Sequence, residues 1–306
     1  MAQNVKLRHC GTMEVYNKQV EAFPEFRRAQ AVIEHDVASL LEEKRFFRLN
    51  TPITIEVVVH VLYHTEEENI SDQQILSQID VLNNDFRAHN DDVTRVPEVW
   101  KAIAADCNIQ FKLATSDAVL TGATGVTRTN TAVATFGTDN NMKATATGGI
   151  DPWDTSRFLN IWVCNLGESL LGYAQFPGGP PETDGVVIDF RAFGTNGAAR
   201  APFNLGRTTT HEIGHYLNLS HIFGDGRGNS CSDTDYVDDT PNQLGPNYQK
   251  PIFPSISCNN GPDGDMFMNY MDYVDDDSMF MFTEGQAARM NATIVGPRSG
   301  LSRPTN

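Results

Sequence analysis

The sequence predicts an α/β fold in which strands and helices alternate before a long irregular region. Residues 53–64, ITIEVVVHVLYH, are β-branched and mostly apolar, which is typical of a strand in the middle of a sheet. In residues 71–87, apolar side chains recur three and four positions apart, which predicts a helix with one buried stripe. The stripe consists of Ile75, Ile79, Leu82 and Phe86. Ser71 and Gln74 are spaced as in a capping box at the start of this helix.

The later elements follow from similar patterns. Residues 109–114 (IQFKLA) and 158–166 (FLNIWVCNL) are predicted strands, and GYAQFPGGPPETDGVVIDF contains a short strand, a loop and a further strand. TTTHEIGHYLNL is predicted to be helical, and the chain beyond it is rich in glycine, aspartate, asparagine and proline to about Asp263. A last helix is expected to begin at Thr283, which is spaced for a capping box with Gln286.

Length and composition are those of a globular protein. The chain has 306 residues, 40% of them hydrophobic and 20% charged, enough for one large domain or two modest ones. The net charge of −16 argues against nucleic acid as a partner, because nucleic acid requires a basic face. No apolar run reaches the ~18 residues that a membrane span needs, so no membrane helix is expected. The start, MAQNVKLRHC, shows no signal peptide.

The first 50 residues are predicted to form a segment separate from a compact domain of residues 51–306. Residues 14–48 are polar and favour helix, contain one proline, Pro24, and have too few apolar residues for a core of their own. We therefore expect this segment to pack on the rest of the chain. It ends in the basic, aromatic stretch EKRFFRLN, a predicted linker.

The stretch HEIGHYLNLSH has the spacing of a metal site. His211 and His215 lie four residues apart on a helix, so both imidazoles project from one face. His221 can join them only if the chain turns soon after the helix, and Asn218 tolerates the positive φ that such a turn needs. Three neutral histidines and a water form an open tetrahedral zinc site of the catalytic type. Glu212 lies beside them as the expected general base.

Two other functions use the same residues. An HExxH aminopeptidase takes a glutamate as third ligand, and His221 at this spacing argues against it. A zinc-containing binding module without catalysis has no need of a base, and the presence of Glu212 argues against it.

The pattern HExxHxxGxxH followed by a methionine turn is the metzincin signature, and the chain resembles it with Asn218 in place of the glycine. The stretch NYMDY, which contains Met271 and Tyr273, resembles the methionine turn. Three longer stretches, CSDTDYVDDTPNQ, FMNYMDYVDDDSMFMFTEGQAARM and LGYAQFP, are similar to the pappalysin family of metzincins, particularly its small prokaryotic members. The resemblance covers about residues 53–290.

This resemblance implies a two-lobed metzincin. An upper lobe of about residues 51–218 would contain a twisted, mainly parallel sheet and the active-site helix. A smaller, irregular lower lobe of about residues 219–306 would carry the methionine turn and the last helix. The implied activity is a zinc-dependent endopeptidase that is made as a zymogen and hydrolyses protein or peptide substrates. Met271 would form an apolar base under the zinc, and Tyr273 would help to hold the charged intermediate.

The resemblance also implies calcium, a disulfide and secretion. Calcium would bind at the DYVDDT loop, through Asp235, Asp238 and Thr240, although a solvated acidic turn has the same composition. Cys231 and Cys258 would form one disulfide. The family's second pair is not expected, because one of its halves falls on a serine. A disulfide indicates an oxidising compartment, so we expect a secreted protein.

The acidic run after the methionine turn, residues 275–277, predicts the substrate preference. In metzincins this segment lines the pocket for the residue after the scissile bond. By resemblance we expect Asp277 to select arginine (or lysine) there, since a carboxylate binds a guanidinium in a fork. A solvent-exposed acidic run is the alternative.

Near the start of the chain, RHCGTM carries one more candidate ligand. One interpretation is that Cys10 is an unpaired cysteine without a function. Because thiolate binds zinc, and related proenzymes carry a similar Cys-Gly motif, we expect Cys10 to be the fourth zinc ligand of a latent form. Gly11 would let the backbone come close, and Arg8 would pair with an acid in the cleft wall. Cleavage before Arg45 in the linker would then release the segment, by the enzyme's own action.

Overall fold

The computed structural model describes residues 6–42, 51–115, 124–224 and 230–302. Its α-helices are α1 (Thr12–Ala22), α2 (Pro24–Glu42), α3 (Asp72–Asp85), α4 (Arg207–Tyr216) and α5 (Glu284–Val295). Its strands are β1 (Ile53–Tyr63), β2 (Ile109–Leu113), β3 (Val126–Asn130), β4 (Leu159–Cys164), β5 (Gly172–Ala174), β6 (Val186–Asp189), β7 (Tyr248–Gln249) and β8 (Tyr273–Val274).

One mainly parallel sheet organises the first part of the compact domain. Its strand order is β2-β1-β4-β6-β5, and β3 pairs with the same edge of β1 as β2, further along the strand. All of these pairings are parallel except that of β5 with β6. The sheet therefore ends in a short antiparallel strand, β5, and the predicted α/β architecture with a mainly parallel sheet is confirmed.

Strand β1 is apolar over almost its whole length because both of its faces are covered. Val57 and Val59 point into the main core, where the apolar stripe of α3 packs. Val58 points to the other face and packs with Phe158 in a smaller cluster. Ser71 caps α3 by accepting a hydrogen bond from the backbone N–H of Gln74 (3.2 Å), which is one half of the predicted capping box. The side chain of Gln74 donates instead to the carbonyls of Phe190 (3.1 Å) and Phe193 (2.8 Å).

The N-terminal helices pack on the compact domain, as their sparse apolar residues predict. Helix α1 buries Val15 against the outer face of the sheet, and α2 buries Ile33 and Val37 against Ala292 of α5. Pro24 begins α2, where a missing N–H costs nothing. The predicted linker at 43–50, with Arg45, lies outside the described residues.

The C-terminal region has little regular structure and is held by specific bonds. A disulfide joins Cys231 to Cys258, which confirms the predicted pairing. Thr283 and Gln286 form the predicted reciprocal capping box at the start of α5. Among the helices that the structure describes, none has the length and apolar character to cross a membrane.

Candidate metal centre and active site

Helix α4 is fully buried and ends where the metal motif requires it to end. The last helical residue is Tyr216, and Asn218 has a φ of +73°, the positive value that the sequence predicts. The backbone N–H of Leu219 donates to Gly214 (2.9 Å), which closes the turn. The chain thereby reverses within a few residues and brings His221 back to the two histidines of the helix.

Three imidazoles converge on one point. The Nε2 atom of His215 lies 3.2 Å from that of His211 and 3.0 Å from that of His221. Nδ1 of His211 donates to the carbonyl of Tyr270 (2.7 Å), and Nδ1 of His215 donates to that of Leu219 (2.7 Å). Because a carbonyl only accepts, each Nδ1 carries the proton, and each Nε2 turns a lone pair toward the others. Converging neutral nitrogens fit a zinc ion, whose ligands stand about 2.0–2.1 Å from the metal.

The methionine turn packs directly under this helix. Met271 is fully buried, and a Cβ added to Gly214 would lie 2.4 Å from its sulfur. A glycine inside a helix costs about 1 kcal/mol relative to alanine, so the place of Gly214 between His211 and His215 has a packing reason. Sequence reasoning missed this role, although a glycine in the middle of a helix was its visible signal.

Glu212 and Tyr273 both lie at the metal centre. Glu212 is buried, and burial raises the pKa of its carboxyl to about 7, against the opposite effect of hydrogen bonds from Thr12 and Cys10. The ring of Tyr273 lies 5.0 Å from that of His221 and 5.8 Å from that of His211, between centroids. The structure thus brings together the predicted base, the predicted tyrosine and the histidines.

The N-terminal segment crosses the metal centre. The ligand atoms of Cys10, His211, His215 and His221 all lie within 4.8 Å of one another. The Sγ atom of Cys10 also lies 3.4 Å from Oε2 of Glu212 and accepts the backbone N–H of Thr12 (3.4 Å). The thiol of Cys10 therefore lies close enough to the three histidines to share a metal ion with them.

The same segment pairs with the free edge of the sheet at one residue. Cys10 forms a parallel bridge with Gly172 of β5, and the N–H of Gly11 donates to the carbonyl of Gly172 (2.9 Å). A Cβ on Gly11 would lie 3.0 Å from a methyl of Leu170, so a side chain would fit poorly there. Glycine therefore allows the close approach that the sequence predicts.

Arg8 fills a pocket beside the metal centre. Its Nη2 donates to Asp276 (2.6 Å), and both side chains are almost completely buried, at 1% and 0% exposure. Its Nε donates to the carbonyl of Val274 (3.0 Å) and its Nη1 to Thr208 (3.1 Å), while the guanidinium lies 4.9 Å from the ring centre of Phe203. The predicted pairing of Arg8 with an acid in the cleft wall is present.

Asp277, the acid that the sequence predicts to select the substrate arginine, does not line the Arg8 pocket. Asp277 is ion-paired with Lys250 and its side chain is 44% exposed, so it does not face Arg8. Asp276 faces Arg8 instead, and it also accepts the backbone N–H of Leu205 (2.7 Å). The three acids lie on a short turn in which neighbouring side chains point in different directions, and their order in sequence does not reveal which one is buried.

The predicted calcium loop is compact but only partly inward-facing. Asp235 is buried and accepts a hydrogen bond from the hydroxyl of Thr240 (2.9 Å), and burial raises the pKa of its carboxyl to about 7. Asp238 is exposed, whereas Asp239 accepts from Thr283 (2.6 Å) and caps α5. Two of the three predicted ligands, Asp235 and Thr240, are therefore in contact.

This constellation defines a class of protein. Buried helical histidines at HExxH spacing, a third histidine after a sharp turn, an adjacent glutamate and a methionine beneath are the parts of a metzincin-type metallopeptidase site.

Comparisons with known proteins give the family. Residues 143–295 match the peptidase M43 family model, pregnancy-associated plasma protein-A. Extracellular metalloprotease 1 of Coccidioides posadasii is 31% identical over 98% of this chain and 93% of its own length. The chain belongs to the M43, or pappalysin, family, and it is a zinc metalloendopeptidase.

Solved structures agree with this assignment. A point mutant of Tannerella forsythia promirolysin has a TM-score of 0.84 and 43% identity, and the match covers 97% of this chain and 99% of that one. Mature mirolysin of the same organism, in complex with a cleaved peptide, has a TM-score of 0.76 and 47% identity. That match covers 83% of this chain and 100% of the mature one.

Proposed function

We propose that the chain is the zymogen of a secreted endopeptidase that cleaves before arginine, and less well before lysine. Residues 1–50 act as the pro-segment, an inhibitor within the same molecule, and Cys10 is the zinc ligand that maintains latency. The observation that carries the proposal is the joint placement of Arg8 and Cys10. One occupies a buried acidic pocket, and the other lies with the three histidines.

The Arg8 pocket has the chemistry of an arginine subsite. It offers the carboxylate of Asp276, the hydroxyl of Thr208, a backbone carbonyl and an aromatic face, which together match the donors and the plane of a guanidinium. A lysine ammonium reaches the carboxylate but does not reproduce the fork or the stacking. We therefore assign the preference for arginine to Asp276 rather than to Asp277.

The direction of the pro-segment explains why it is not cut at the zinc. In a substrate cleaved before arginine, the arginine follows the scissile bond in sequence. In the pro-segment, Arg8 precedes Cys10. If both arginines use the same pocket, the pro-segment crosses the site in the opposite direction to a substrate, and it presents a thiol rather than a peptide carbonyl at the metal.

Glu212 and Tyr273 carry the proposed chemistry. Zinc, when bound, supplies Lewis-acid polarisation of the carbonyl and of the attacking water. Glu212 takes a proton from that water and later delivers it to the leaving amine. Tyr273 stands at the edge of the imidazole cluster, where its hydroxyl can donate to the developing negative charge. The free edge of β5 aligns the extended substrate.

Several observations support the domain boundary and secretion. Mature mirolysin corresponds to 83% of this chain and promirolysin to 97%, as expected if about 50 N-terminal residues are removed on maturation. The proposed cleavage before Arg45 lies outside the described residues. The curated relatives are extracellular metalloproteases, and a disulfide is stable in an oxidising compartment.

We also propose a structural calcium ion at the loop of residues 235–240. Asp235 is buried, and the hydrogen bonds that the structure describes for it come from the hydroxyl of Thr240 and the backbone N–H of Val237. The carbonyl of Val237 accepts from the same hydroxyl of Thr240 (2.8 Å). Oxygen ligands of this kind suit calcium. Asp238 is exposed and would have to turn inward to bind.

Replacing Glu212 tests the proposed reaction. Glu212→Ala in the mature enzyme should bind one equivalent of zinc and lower kcat for peptide hydrolysis by about 10²- to 10⁴-fold, the usual contribution of a general base. Glu284→Ala, at an exposed acid in α5, is the control and should have no effect. Zinc content and peptide cleavage are measured together. Undiminished cleavage by Glu212→Ala would overturn the assignment of the base.

Paired variants of the acidic run test the substrate preference. Asp276→Asn should lower kcat/KM for an arginine peptide by about 10- to 100-fold relative to a matched leucine peptide, since it removes a charged hydrogen-bond acceptor. Asp277→Asn is the matched control and should leave this ratio within about twofold, because an exposed ion pair contributes little. The ratio is measured on mature enzyme. Its loss in Asp277→Asn alone would restore the sequence-based assignment.

Calcium should stabilise the protein through Asp235. In the Glu212→Ala background with zinc saturating, millimolar calcium should raise Tm by about 2–8 °C. Asp235→Asn should abolish the shift, and Glu98→Gln, at an exposed acid elsewhere, should keep it. Thermal unfolding with and without calcium gives the result, and a shift that persists in Asp235→Asn would contradict the site.

A further inference from the structure

The side chain at position 218 contacts the pro-segment. The metzincin pattern has glycine here, and the positive φ of +73° is one that glycine adopts freely. The chain carries Asn218 instead, and its Nδ2 donates to Oε1 of Glu34 in α2 (2.9 Å). The departure from the pattern therefore adds one hydrogen-bond donor to the surface beneath the pro-segment.

A buried arginine, Arg289, binds the same carboxylate of Glu34. Arg289 of α5 donates from Nη2 to both carboxylate oxygens of Glu34 (2.6 and 2.7 Å), and its side chain is only 5% exposed. Its Nε donates to the carbonyl of Asn218 (2.7 Å), and the ring of Tyr236 lies 5.7 Å from the guanidinium. The contacts of Arg289 with Asn218 and Tyr236 lie within the catalytic domain and do not involve the pro-segment, so the guanidinium is held in place without Glu34.

Glu34 and Asn218 also line a cavity near the metal centre. A cavity of about 670 Å³ lies between the pro-segment helices and the catalytic domain, and its lining includes Glu34, Asn218, Phe176 and Ser220. The ring of Phe176 is 5.5 Å from that of the zinc ligand His215, between centroids. One residue of the cavity wall, Phe176, therefore also packs against the metal centre.

The cavity and the Arg8 pocket lie on opposite sides of Cys10 along the pro-segment. Arg8 precedes Cys10, whereas Met13, Tyr16 and the helix α2 follow it and line the cavity. If the Arg8 pocket receives the residue after the scissile bond, the cavity receives residues before that bond.

We propose that Arg289 and Asn218 form a carboxylate subsite of the mature enzyme, which binds a glutamate or aspartate of the substrate on the N-terminal side of the scissile bond. Glu34 occupies this subsite in the zymogen as Arg8 occupies the arginine pocket. Release of the pro-segment frees the amide of Asn218 and the guanidinium of Arg289, and a substrate carboxylate restores their hydrogen bonds. The inference deepens the proposed function and rests on it.

Matched peptides test the subsite in the wild-type mature enzyme. Each pair carries arginine after the scissile bond and either glutamate or glutamine at one of the second to fifth positions before it. At one of these positions, kcat/KM should favour glutamate by about tenfold, and added salt should reduce the preference, as for a partly exposed ion pair. Equal rates at every position overturn the inference, while cleavage of the glutamine peptides still confirms the proposed endopeptidase.

Two variants test whether Asn218 and Arg289 cause the preference for glutamate over glutamine. Asn218→Gly restores the family pattern and should lower the glutamate-to-glutamine ratio about threefold or more, and Arg289→Gln should bring it close to one. Arg87→Gln removes an equal charge from a surface pair with Asp106 and should leave the ratio unchanged. If Arg289→Gln fails to fold, Asn218→Gly still decides. A ratio unaffected by Asn218→Gly, or lowered equally by Arg87→Gln, contradicts the subsite.

Discussion

The hydrogen bond from His211 Nδ1 to the carbonyl of Tyr270 joins the active-site helix to the methionine turn. It fixes the tautomer and the rotation of the imidazole, and the equivalent bond from His215 to Leu219 does the same one turn later. The close approach of the two segments requires the absent side chain of Gly214, against which the sulfur of Met271 lies. The geometry of the metal centre thus depends on backbone acceptors and on one glycine.

On the proposed function, the pro-segment keeps the catalytic domain inactive by using its substrate-binding features. It pairs with the free edge of β5, inserts Arg8 beside Asp276, places Cys10 with the histidines and presents Glu34 to Arg289. A buried charge without a partner is costly. When the segment departs, Asp276 and Arg289 of the catalytic domain therefore each lose the charged partner that the segment supplied. On this account, the same charges that hold the zymogen together select the substrate of the mature enzyme.

The sequence predicts the parts of the site that depend on local spacing. His211 and His215 share a helical face, Asn218 permits the turn to His221, and the capping residue Thr283 starts the last helix, all as expected. Strand β1 was equally predictable, because a strand buried on both faces is apolar throughout.

The parts that depend on distant partners were not predictable. The three acids at positions 275–277 are consecutive and identical, so the sequence does not distinguish them. Only the packing around Arg8 shows that Asp276 is buried while Asp277 binds Lys250. The role of Gly214 depends on Met271, which is far away in sequence. The contact of Glu34 with Arg289 spans 255 residues, and neither side chain carries a local signal for it.

The central claim is that the sulfur of Cys10 occupies the metal in the intact chain, and X-ray absorption at the zinc edge measures this directly. The full-length Glu212→Ala protein, which cannot process itself, should show three nitrogen ligands and one sulfur at about 2.3 Å. The mature form should show only nitrogen and oxygen ligands. Full-length protein with only nitrogen and oxygen around zinc would contradict the account.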